Sequence, residues 1–325
     1  NPGTTSSAAS DVYKRQVHEH PHVGGNAVWL TRGFWDVRVL LALAAAYGVG
    51  LVFVRLSVRR DFCLQEVRER FSGPLGRWIG RGMTTHDAAE AARLSNRMGV
   101  LAPVVAIVYA VAFSLLGIDL IMALEPDWFS TLFGAWYFMG NIFFGLALLA
   151  MLSLVIGKPL ALGRFITSRR QSDMATLLLA FCLINVDFFW NQYLTIWYAN
   201  LPEETFYLIE RTVDGSLPWR SLSFVSLATF FLIPFVALLF RKVKRNQGLL
   251  FAVALVATLG IFLARFVEIA PALLAVEPGT GLGGLVLPIV SAALVLIGFL
   301  GGGLLLVSRW MLGVPLMALN EVVFA

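Results

Sequence analysis

Seven apolar blocks dominate the chain, at residues 34–56, 100–124, 128–156, 174–199, 222–240, 249–270 and 283–307. Each is long enough for an α-helix to cross a hydrocarbon core about 30 Å thick, which takes roughly twenty residues. Lipid offers no water to backbone amides, so a spanning segment satisfies its own polar groups by coiling into a helix. The blocks therefore predict an all-α fold, a polytopic transmembrane helix bundle. Composition excludes a soluble globular enzyme: 14% of the 325 residues are charged and 58% hydrophobic, where a soluble domain carries about 25% charged residues.

Charge between the blocks sets an orientation. Arg59, Arg60, Arg68, Arg70, Arg77, Arg81, Arg93 and Arg97 follow the first block. Lys158, Arg164, Arg169 and Arg170 follow the third, Arg241, Lys242, Lys244 and Arg245 the fifth, and Arg309 the seventh. The alternate loops carry Glu125 and Asp127, then Glu203, Glu204, Glu210 and Asp214 beside only Arg211 and Arg220, then Glu277. The positive-inside rule makes the basic side cytoplasmic, with residues 17–33 outside and the C-terminus inside. A multi-pass membrane protein is expected. The formal net charge of +5 is thereby explained by topology, and no nucleic-acid partner is expected.

Segments outside the blocks carry less. Residues 1–16 (NPGTTSSAASDVYKRQ) are polar and unlike a signal peptide, which has a charged start and an apolar centre. They read as an artefactual or disordered leader joined to a truncated chain, ahead of a membrane domain over 17–325. Residues 57–99 read as a cytoplasmic interfacial loop with helix-like charge spacing, such as Glu66/Arg70. Residues 201–220 form an outer loop rich in carboxylates and aromatics, with Trp197 and Trp219 suited to the headgroup belt. Cys63 and Cys182 lie far apart without C-x-x-C spacing, so no haem attachment, iron–sulfur cluster or disulfide is expected. His18, His20 and His22 lack a fourth ligand at fixed spacing, and no metal site is read there. Gly301–Gly303 inside the last block mean close helix packing, not a phosphate loop.

Ionisable residues within spans are costly and usually face a bundle interior, a partner or water. Asp187 sits near the middle of the fourth block, and Asn191, Thr195 and Tyr198 share its helical face. Two readings stand: a proton relay or quinone head-group contact, and an interhelical hydrogen-bond staple. Asp119 lies toward the outer end of the second block. Arg265 and Glu268, at i,i+3 spacing in the sixth, are neighbours suited to a salt-bridged clamp or to proton exchange. Asp173, with Ser172, reads as a helix cap rather than a proton inlet.

Two strings are more specific than composition: DLIMALEPDWFSTLFG, Asp119 to Gly134, and NQYLTIWYANLPEET, Asn191 to Thr205. With Ala27–Leu30 leading to Arg38, Ser57–Asp61, and Ile233–Phe235 leading to Lys244–Asn246, they resemble the smaller polysulfide-reductase-like (NrfD-like) membrane subunit of alternative complex III, a quinol:cytochrome c oxidoreductase. The resemblance runs from about residue 27 to 250. The matching positions are Asp119, Glu125, Trp128, Ser130, Gln192, Tyr193, Trp197, Tyr198, Asn200, Glu203 and Glu204, with Glu268 where an acid is usual. Ser172–Thr176 depart from the family's His-Asp-Leu-Gly-Lys-like lead into the fourth block.

The resemblance implies about ten helices in the full protein, three of them before residue 17. It also implies a subunit without a redox centre of its own, whose partners are other membrane subunits, an iron–sulfur subunit and multihaem and monohaem cytochromes. The substrate would be quinol, menaquinol or ubiquinol. Proton exchange is then expected at Asp119 and Glu268, and by its intramembrane position at Asp187, which stands where the family more often has an uncharged residue. Asn191, Gln192, Tyr193, Trp197 and Tyr198 are the quinone-binding candidates, and Asn200, Glu203 and Glu204 form an outer-loop motif. The rival readings are a purely structural anchor of an oxidoreductase complex and a free-standing transporter.

Overall fold

The computed structural model describes residues 29, 31–63, 77, 81, 88–125, 128–157, 166–212, 218–274 and 282–311. Among these, seven helices are long and apolar enough to cross a membrane. The order is α1 (Arg32–Asp61), α2 (Ala88–Leu120), a 3₁₀ turn (Met122–Leu124), α3 (Phe133–Gly157), α4 (Ser168–Ala199) and α5 (Pro202–Thr212). Then come α6 (Trp219–Leu227), a π-helical turn (Ala228–Leu232), α7 (Ile233–Leu239), α8 (Arg241–Arg245), α9 (Gln247–Leu273), a second 3₁₀ turn (Leu282–Leu285) and α10 (Val286–Met311). The all-α polytopic reading holds, block for block. The His18–His22 run and the leader lie outside the described residues, as do 64–76, 78–80 and 82–87 of the expected 57–99 loop, whose two ends instead continue α1 to Asp61 and begin α2 at Ala88.

The chain divides into two compact units, residues 1–37 with 113–289, and residues 38–112 with 290–325. In the second, Phe62 and Cys63 are buried at the end of α1 with Leu94 of α2, and Arg59 pairs with Glu90 at 3.9 Å. The first unit holds the candidate site. Its core joins Phe143, Ala147 and Ala150 of α3, Ala175, Leu178 and Cys182 of α4, Leu238 of α7, and Leu250, Ala254, Ala257 and Ile261 of α9. The recurrent alanines let backbones approach closely, the normal means of packing helices that gain little from excluding lipid. Accordingly α9 is the most enclosed of the seven spans.

Helix starts correct one expectation. Thr167, not Ser172 or Asp173, caps α4: its hydroxyl accepts from the Arg170 amide at 3.4 Å. Asp173 lies inside the helix and is exposed. At the other end Asn200 takes a left-handed conformation (φ 50°), its amide closing onto the Ile196 carbonyl at 3.0 Å. Asparagine tolerates that region better than most residues. Pro202 then opens α5, where a missing amide hydrogen costs nothing.

The fifth span is not a uniform helix. Its π turn widens the coil at Ala228–Leu232, and Cys182 donates its thiol to the carbonyls of Phe230 (3.7 Å) and Phe231 (3.9 Å). Gly260 of α9 faces this turn so closely that a Cβ there would collide with the Phe230 backbone nitrogen.

Candidate functional site

A cavity of about 460 Å³ lies inside the first unit, between α3, α4, α5, α6, the π turn and α9. Eight aromatic side chains line it: Trp136 of α3, Phe189, Trp190 and Tyr193 of α4, Tyr207 of α5, and Phe224, Phe230 and Phe231. Trp190 and Phe224 are also 54% and 55% exposed, so the α4–α6 side of the cavity meets the surroundings of the bundle. The polar members of the wall are few, chiefly Arg211, Thr212, Ser223, Ser226 and Glu268. An apolar chamber with a few placed polar groups is the usual form of a small-molecule site.

Arg211 organises the α5 end of that chamber. It is 4% exposed and donates to the Val267 carbonyl (3.2 Å), the Tyr207 carbonyl (3.0 Å) and the Glu268 carbonyl (3.4 Å). It also pairs with Glu125 at 3.2 Å and Glu210 at 3.0 Å. Its guanidinium sits 3.7 Å from the centre of the Tyr207 ring, whose other face stacks on Trp128 at 3.8 Å. The alternation of α5 explains this placement: Phe206, Tyr207 and Leu208 turn toward the bundle, and Arg211 follows Tyr207 by one helical turn. Burial pushes the Tyr207 phenol well above its ordinary range, against the opposing pull of the Arg211 cation.

The second charged group is the Arg265–Glu268 pair, closed at 2.6 Å across one turn of α9. Arg265 also donates to the Tyr137 carbonyl at 3.2 Å and lies 4.4 Å from the Tyr137 ring centre. Gly140 makes this possible, because a Cβ there would collide with the Arg265 Nη2 and come within 3.2 Å of the Asn185 Oδ1. Three residues of the cavity wall keep buried polar atoms with no hydrogen-bond partner among the described residues: Trp136 Nε1, Ser223 Oγ and Glu268 Oε1. Bonding capacity therefore remains in an otherwise apolar wall, a costly arrangement for a site that only packs.

The sequence candidates separate on this frame. Tyr193 and Glu268 line the cavity. Gln192 is buried but belongs to the opposite side of the α4 turn, outside the lining. Asn191, Trp197 and Tyr198 are exposed and do not line it. Asp119 is buried at the end of α2, where its carboxylate accepts from the Trp29 indole at 3.2 Å, and it too stands apart from the cavity. Asn200 is the α4 cap described above, and Glu204 is half-buried on α5; the Glu203 side chain lies outside the described residues.

Asp187 does not take the bundle interior: it is exposed, as are Asn191, Thr195 and Tyr198. The face is shared, as helical spacing requires, but it points away from the core because Cys182, Asn185, Gln192 and Ile196 take the buried side of α4. Trp219 likewise departs from the headgroup-belt expectation: it is buried with Leu222, Val267, Ala270 and Leu285. Trp197 remains 61% exposed.

Sequence reasoning passed over Trp136, Tyr207, Arg211 and Ser223. A signal existed for Arg211, a basic residue in an acidic loop one turn after an aromatic. None existed for Trp136 or Ser223, whose importance comes from packing between distant helices. Among the described residues no group of His, Cys, Asp and Glu could hold a metal ion. No protein-family model matches the chain, and no curated protein matches it either.

Proposed function

We propose that the chain is an integral membrane subunit of a quinol-oxidising respiratory complex of the alternative complex III kind, and that its cavity takes an isoprenoid quinone. The observation that carries this reading is the aromatic chamber of about 460 Å³ that joins Tyr193 to Glu268. A quinone ring suits flat aromatic walls, and its two oxygens suit the few wall groups with spare bonding capacity. Trp190 and Phe224 stand where an isoprenoid tail would leave toward lipid. In this reading Glu268 exchanges the proton, Arg265 holds its carboxylate in place, and Arg211 fixes α5 over the chamber. Electrons pass to haem and iron–sulfur groups on partner subunits, with the basic loops cytoplasmic and the α5 end outside.

The structural-anchor reading has its own support in the Arg265–Glu268 pair, which ties α9 to α3 as a staple would. One experiment separates the two. The complex is purified gently from native membranes, and its haem spectrum is recorded before and after quinol is added, for the parent and for Tyr193→Ala. The proposal expects haem that quinol reduces, and slower reduction with unchanged subunit composition in the variant. Undiminished reduction in Tyr193→Ala favours the anchor, and an intact preparation without haem overturns the respiratory assignment.

A further inference from the structure

The exposed face of α4 carries a group that neither the cavity nor the core uses. Asp187 lies about 18 Å along the helix from its Ala199 end and about 28 Å from its Ser168 end, at 1.5 Å per residue. That is within the apolar stretch that crosses the membrane. Its polar neighbours on the same face are already satisfied by the helix itself. Asn191 donates its amide to the Asp187 carbonyl at 2.8 Å, and Thr195 donates its hydroxyl to the carbonyls of Asn191 (3.0 Å) and Gln192 (2.9 Å). The Asp187 carboxylate receives no hydrogen bond and no ion pair from the described residues. One turn away in either direction stand Leu183, Ile184, Trp190 and Asn191, none of them cationic.

A carboxylate facing hydrocarbon costs several kcal/mol less when a cation or donor meets it, which is why such groups are found paired. Among the described residues none supplies that complement. We propose that the Asp187 face of α4 seats a transmembrane helix of a neighbouring subunit, which brings a Lys or Arg side chain to the depth of Asp187. Charge complementarity selects this occupant over a lipid chain, which offers no donor. It also selects it over a second copy of the same face, which would set two carboxylates together. Leu183 and Leu194, 41% and 38% exposed, supply apolar contact one turn before and two turns after the charge. The inference rests on the proposed function only in giving the chain membrane-embedded neighbours.

The test uses dicyclohexylcarbodiimide, which partitions into bilayers and modifies carboxyl groups that face them. Native membranes and the chain separated from its companions in mild detergent are treated alike, and the Asp187 peptide is read by mass. Protection in native membranes and modification after separation are expected, with the adduct absent in Asp187→Asn. Asp187→Leu, on a face that leaves the α4 core untouched, is expected to weaken the hold of the neighbouring subunit by about a hundredfold to a few thousandfold, the cost of deserting a buried cation. Equal modification in native membranes makes Asp187 a lipid-facing acid and overturns the proposal. Protection that survives in the separated monomer, or that depends on a homodimer, overturns it in favour of cover by this chain. A chain that leaves native membranes without companion subunits overturns the respiratory reading instead, while the labelling in those membranes still decides the interface.

Discussion

Replacing Arg211 with Met keeps the aliphatic stem and removes the guanidinium, so it isolates the charge that holds α5 to the bundle. The contacts at stake differ in weight. Glu210 is 42% exposed on its side chain, and its pairing with Arg211 contributes at most a few tenths of a kcal/mol once solvent screening is allowed for. Glu125 is 19% exposed, and the carbonyls of Val267 and Glu268 are buried, so these lose a charged donor without gaining water. Hydrogen bonds to a charged group are worth about 1.5–3 kcal/mol each, and they are not additive when one side chain makes them all. Breaking a buried pair by deleting one partner costs about 3–5 kcal/mol, and the substitution should fall in that range. Cys63 and Cys182 are both buried thiols, so unfolding in detergent can be followed by a thiol-reactive dye that fluoresces on reaction. Arg211→Met should react at markedly lower temperature than the parent, Glu125→Gln should lose an intermediate amount, and Glu210→Gln should change little. A cost for Arg211→Met below about 1 kcal/mol, typical of a surface change, would refute the view that this cation anchors α5.

Two glycines give sharper packing tests. Gly140→Ala places a Cβ against the Arg265 guanidinium; the expected result is loss of the bond to the Tyr137 carbonyl and a destabilisation of about 1–3 kcal/mol, the usual range for overpacking, read by the same thiol assay. Gly260→Ala meets the Phe230 backbone, which cannot rotate away as a side chain can, so a cost at or above the top of that range is expected. Because Cys182 bonds to the same π turn, its dye reactivity at a temperature where the parent is inert should rise in Gly260→Ala before Cys63 responds.

The number, type and order of the spans were legible because runs of some twenty apolar residues have one stable form in lipid. The Arg265–Glu268 pair was legible too, since i,i+3 neighbours on one helix meet whatever surrounds them. Local capping was less so: Ser172 and Asp173 are good cap residues, but Thr167 lies one turn earlier and the helix begins there. Helical spacing groups Asp187 with Asn191, Thr195 and Tyr198, yet spacing alone does not say which face of α4 is buried. That is decided by Cys182 and Asn185, which meet the π turn and α3. Burial of Trp219 and convergence of Trp136 with Ser223 are likewise products of helix packing and leave no periodic trace.

The central claim is that the chamber between α3, α4, α6 and α9 holds a quinone, and photo-labelling tests it most directly. Native membranes are illuminated with an azido-quinone bearing an isoprenoid tail, and the modified peptides of this chain are identified with and without excess unmodified quinone. The account predicts label on α4 at Val186, Phe189, Trp190 or Tyr193 and on the fifth span within Ser223–Phe231, removed by competition and reduced by Tyr193→Ala. Label that ignores the competitor, or that falls on the outward α4 residues Asn191, Trp197 and Tyr198 while sparing the chamber, would contradict it.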